Sequence, residues 1–162
     1  MTSDFKVDET ARMFEEIRPK LQDDMGAIEE EMKILGYKVL TLHPRHVSLY
    51  QSKGRLGFLV TLPNEKAKDV MNLLGSGLRY TVDMEFGLHK QLAVFVITLK
   101  ITGAKWAILY PVYYHTGAEW LIKDQGKRGL YTFFSTQRGD IVREVNMGNY
   151  QLYLYTRYQR KV

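Results

Sequence analysis

Cysteine is absent from this 162-residue chain, which excludes disulfides and thiolate-held metal centres. Proline occurs four times and tryptophan twice. No uncharged apolar run reaches the roughly 20 residues that a membrane-spanning helix needs, so no membrane association is expected. The opening MTSDFKVDET lacks a basic stretch followed by an apolar one, so no secretory leader is expected and a cytoplasmic location is. Repeats, low-complexity tracts and linkers are missing too, which makes residues 1–162 one domain. Walker loops, nucleophile elbows, RNP-type aromatic motifs and KH-type GxxG loops are not present as full patterns. Catalysis, a cofactor and a bound metal are therefore not expected.

What the chain does contain is a strong period-2 pattern over residues 91–113. Phe95, Ile97, Leu99 and Ile101 alternate with Val94, Val96, Thr98 and Lys100, and Trp106, Ile108, Tyr110 and Val112 repeat the pattern after Gly103. Alternate side chains of a strand point to opposite faces, so this reads as an antiparallel hairpin at the centre of the core. Pro111 cannot donate to a ladder, which predicts a strand end or a sheet edge there.

Charge divides the chain. Residues 1–36 carry ten acids against five bases, and residues 37–162 carry eight acids against eighteen bases. An acidic arm thus precedes a basic body, which implies an anionic partner for the body or an arm that docks on it. Within the arm, positions 7, 11, 14, 21, 25, 28, 32 and 35 form an apolar heptad stripe that Arg18 interrupts. Pro19 predicts two helices, 8–18 and 19–35, closed by Gly36. The stripe either packs on the protein's own sheet or, through residues 7–35, forms a homodimer or protein-partner seam.

In the body, strands are expected at 37–42, 45–51, 55–62, 78–86, 130–135, 140–145 and 150–158, beside the 91–113 hairpin. A helix is expected at 64–74, and another from Thr116 to about Lys123, opened by a Thr116/Glu119 capping box. The fold class is α+β: a curved, mainly antiparallel sheet of about seven or eight strands, N-terminal helices on one face, and a helix near 64–74.

The functional expectation is non-catalytic nucleic-acid binding on a basic, tyrosine-rich sheet surface. Its candidate residues are Lys127, Arg128, Arg138, Arg143, Tyr153, Tyr155, Arg157 and Arg160. Aromatic rings stack bases while cations follow phosphates. Alternatives are an adaptor that oligomerises through the arm or a sheet edge, a metal-dependent nuclease built on Asp83 and Glu85 with a histidine such as His89, and a ligand pocket between helix and sheet. Gly75-Ser76-Gly77 follows a helix instead of opening one, so it is not read as a phosphate loop. His43-x-x-His46 lacks zinc-helix spacing, and His115 has no neighbouring nucleophile in the sequence.

Overall fold

The computed structural model describes residues 2–75, 78–125 and 128–148, with side chains from residue 9 onward. Its elements run α1 (Thr2–Ile34), β1 (Lys38–Thr41), β2 (His46–Ser52), β3 (Arg55–Thr61), α2 (Asn64–Leu73), β4 (Tyr80–His89), β5 (Leu92–Ile101), β6 (Trp106–His115), a 3₁₀ turn (Thr116–Ala118), α3 (Glu119–Gln125), β7 (Leu130–Ser135) and β8 (Ile141–Asn146). The α+β class and the N-terminal helix on a sheet face are as the sequence implies. The expected strand at 150–158 lies outside the described residues.

The eight described strands divide between two four-stranded sheets, ordered β1-β6-β5-β4 and β2-β3-β7-β8. Each sheet holds one parallel pair, β1 with β6 and β3 with β7, among antiparallel neighbours. The chain visits the first sheet, then the second, then the first, then the second again. Neither sheet can form without distant segments of the chain.

The first sheet is the middle layer. Its face bearing Phe95, Tyr110 and Tyr114 meets the second sheet: Tyr110 lies 5.0 Å from Phe134 and Tyr114 lies 6.1 Å from Phe58, ring to ring. Its opposite face, with Val94, Val96 and Tyr113, lies under α1, where Phe14 stacks on Tyr113 at 4.2 Å. Coverage on both sides explains why every residue from Leu92 to Leu99 is buried.

One continuous α1 replaces the two expected helices, with Pro19 inside it. A mid-helix proline costs about 3 kcal/mol. Met13, Phe14 and Ile17 before Pro19, and Leu21, Met25 and Met32 after it, are all buried. Each such side chain contributes roughly 1.5–3 kcal/mol, so keeping both halves on the sheet outweighs the break. The arm's acids also engage the body. Glu16 accepts from Lys90 at 3.0 Å and pairs with His89 at 2.8 Å, and Glu29 accepts from Thr41 Oγ1 at 2.5 Å.

Two further expectations are revised. The strand does not stop at Pro111; β6 continues to His115. The expected sheet edge is present, however: β1 ends opposite Leu109, and after Leu42 N–H donates to Leu109 O the next rung of this parallel ladder would need an N–H from residue 111, which proline lacks. At the 3₁₀ turn the cap comes from His115, whose Nδ1 accepts from Gly117 N–H at 2.9 Å. Thr116 N–H donates to Gln91 O, and the Glu119 carboxylate accepts the Tyr114 hydroxyl at 3.0 Å, so the expected Thr116/Glu119 reciprocity is replaced.

Gly57 marks the closest approach within the second sheet. A Cβ there would fall well inside van der Waals contact of the Tyr131 carbonyl, and 2.8 Å from Phe133 Cε2. Gly→Ala in an open strand is mildly favourable. Here Gly57→Ala is expected to destabilise by about 1–3 kcal/mol through overpacking, read as a lower urea midpoint. A neutral or stabilising result would contradict this packing.

Candidate functional site

The outward face of the second sheet is built from alternate residues of adjacent strands. Gly57 of β3 sits in register with Tyr50 of β2 and with Tyr131 of β7. Because Gly57 has no side chain, larger neighbours close over it. Phe133 stacks with Tyr131 at 5.8 Å and meets Tyr50 edge-on at 5.3 Å. The Arg55 guanidinium lies 5.3 Å from the Tyr131 ring centre and 5.9 Å from that of Phe133, within cation–π range. Glu144 on β8 pairs with Arg55 at 2.5 Å and fixes the guanidinium over the rings. Phe133 is buried, whereas Tyr50 and Tyr131 are half-exposed.

More charge surrounds one end of this face. Lys53 and Gly54 form the β2–β3 turn, both with positive φ, and Lys53 is exposed. Arg128 shares a hollow of about 320 Å³ with Gly54, Gln51, Asp124 and Gln125. Lys53 and Arg55 flank Gly54 in the chain, so they and Arg128 lie near the β2–β3 turn, where Asp124 lines the same hollow and Glu144 pairs with Arg55.

Of the residues expected to bind nucleic acid, Lys127, Tyr153, Tyr155, Arg157 and Arg160 lie outside the described residues. The described three do not converge. Arg128 precedes β7 and Arg138 sits in the exposed turn after it, so six strand residues, on the order of 20 Å, separate them. Arg143 is committed to α2. Its guanidinium donates to the carbonyls of Met71 at 2.8 Å, Val142 at 2.7 Å and, closer still, Leu74. α2 has no base in its own last turn, so Arg143 supplies the cation that its terminal carbonyls favour.

Tyr50, Arg55, Tyr131 and Phe133 were not singled out from sequence, although a signal existed. Alternation in 55–62 sends Leu56, Phe58 and Val60 inward and therefore Arg55 and Gly57 outward. The same step applied to 130–135 turns Tyr131 and Phe133 to one face. That β3 and β7 are neighbours could not be read, since 68 residues separate Thr61 from Leu130.

The residues considered for metal chemistry are engaged elsewhere. Asp83 forms an ion pair with Lys100 at 2.8 Å, which raises the lysine's pKa through that hydrogen bond. The hydrogen bond with His89, the largest single cause, and that from Lys90 hold the Glu16 carboxyl below its ordinary range. Glu85 lies beside α1, in a hollow shared with Lys20, Asp24 and Glu31. Among the described residues no group of three His, Cys, Asp or Glu is placed to hold a metal ion. Tyr110, buried between the sheets, bonds Thr132 at 2.8 Å, and burial pushes its phenol pKa up, so it stays protonated.

The fold and this face describe an α+β protein whose two packed sheets leave one aromatic and cationic surface outward. The chain belongs to a family of unknown function (DUF7529), whose model matches residues 6–154. No curated protein matches it. Among the described residues, no helix is long and apolar enough to cross a membrane.

Proposed function

We propose that this protein binds single-stranded nucleic acid, without catalysing a reaction on it, through the outward face of the second sheet. The observation that carries this reading is the Arg55–Tyr131–Phe133–Tyr50 array. It places stacked rings and a fixed guanidinium on one sheet face, with Lys53 in the β2–β3 turn at its end and Arg128 in the hollow beside that turn. Half-exposed Tyr50 and Tyr131 offer ring surface to bases, while Lys53 and Arg128 offer charge to phosphates. Every base has a π-face, so such a surface tolerates any sequence. The basic excess of residues 37–162 adds a general attraction for polyanions.

Fluorescence anisotropy with a labelled oligothymidylate at increasing salt tests this. Affinity is expected to fall linearly on log–log axes, because phosphate contacts release counterions. Tyr131→Ala is expected to cost about 1–3 kcal/mol of binding. Arg128→Ala should reduce the salt slope by about one. Arg143→Ala should lower stability but leave binding unchanged, since its guanidinium serves α2. No binding at low salt, or a Tyr131→Ala variant that binds like the parent, would refute the proposal.

A second reading, self-association as a structural subunit, has a narrower basis. Most of α1's apolar stripe is covered by the first sheet, but Ile34 and Leu35 at its end are 84% and 55% exposed. They precede β1, an edge strand whose outer side has no partner strand among the described residues. Sedimentation over micromolar to submillimolar protein is expected to show a dimer that Ile34→Asp with Leu35→Asp dissociates. A monomer throughout that range would eliminate it.

A further inference from the structure

The hollow beside the β2–β3 turn has chemistry of its own. Gln51 follows Tyr50 in β2 and so belongs to the other side of the sheet. The hollow therefore opens at the rim of the aromatic face, behind the turn, and not on the face itself. Gly54 forms its lip, and Arg55, the next residue, lies over Tyr131 and Phe133. A volume of about 320 Å³ is far more than one water requires and falls at the lower end of ligand-site volumes. The far wall is α3, anchored by buried Ile122 and tied to β2 by a hydrogen bond from Gln51 Nε2 to Gln125 Oε1.

That bond leaves the Gln125 amide N–H groups to donate elsewhere. Asp124 and Arg128 line the same space without pairing with each other, and neither has a hydrogen-bond or ion-pair partner among the described residues. A carboxylate, an amide donor and a guanidinium thus surround one space. An ionised carboxylate only accepts, so it is best met by two donors side by side. Among the common bases, guanine alone offers this, as N1–H and N2–H, with the acceptor O6 next along the same edge. Adenine and cytosine place a ring acceptor beside their amino group, and thymine sets its one N–H between two carbonyls.

We propose that this hollow takes a single guanine from the bound strand, with Asp124 accepting from N1–H and N2–H and the Gln125 amide donating to O6. Arg128 keeps its place on the phosphate of that nucleotide. This inference rests on the single-strand reading above and adds to it. The stacked rings read no sequence, whereas the hollow favours one base at one position. Unstacked bases are read on their hydrogen-bonding edges in this way.

Anisotropy with oligothymidylate, and with the same oligomer carrying one central deoxyguanosine, deoxyinosine, deoxyadenosine or deoxycytidine, tests the assignment. The guanine oligomer is expected to bind about tenfold more tightly than oligothymidylate, the value of one bidentate contact. Hypoxanthine lacks the N2 amino group, so inosine should keep only about a threefold advantage. Adenine and cytosine should bring none. Asp124→Asn, at an exposed position, turns one acceptor into a donor and should abolish the guanine advantage while the thermal midpoint is kept. Reading the ratio of the two affinities in each variant removes any general effect of the lost charge. Intact oligothymidylate binding with no gain from guanine, or a gain that survives Asp124→Asn, would overturn the subsite and leave the single-strand reading standing. No binding of any oligomer at low salt would remove both.

Discussion

The structure depends on the first sheet being closed on both faces at once. β5 and β6 form its centre, with α1 over one side and the second sheet over the other. A sheet with one wet face can alternate apolar and polar residues. A sheet buried on both faces cannot, which is why β5 and β6 are apolar at nearly every position. Lys100, near the end of β5, emerges only far enough to pair with Asp83.

That constraint also answers much of the charge division. α1 brings acids to the rim of the sheet that it covers, and basic or hydroxyl groups meet them there: Glu16 with His89 and Lys90, Glu29 with Thr41, and Glu9 with His115. Exposed pairs of this kind are worth little individually. Their effect is to set the helix's register over an apolar stripe that supplies most of the energy. With the first sheet enclosed, the outward face of the second sheet and the grooves at the layer edges are where recognition chemistry has room.

Local pattern was legible where one residue's neighbours decide its state. The 91–113 hairpin, the strand at 130–135 and the helix at 64–74 all follow from periodicity and flanking turns. What was not legible is tertiary. Pro19 lies inside one helix because burial on both sides of it outweighs the lost hydrogen bond, and that burial is visible only once the sheet exists. The split into two sheets depends on pairing β1 with β6 and β3 with β7, partners far apart in sequence with no turn to announce them. The same distance hid the aromatic face, whose members come from β2, β3 and β7. Arg143 looked like a surface cation because nothing in its own strand shows that α2 ends without a base beside it.

Hydrogen–deuterium exchange resolved by residue tests the three-layer arrangement most directly. With the middle layer closed on both sides, the amides of β5 and β6 exchange slowest, and α1 from Met13 to Met32 is protected along its whole length, across Pro19. Fast exchange throughout α1 while β5 stays protected would mean that the helix does not cover the sheet, and would contradict the arrangement.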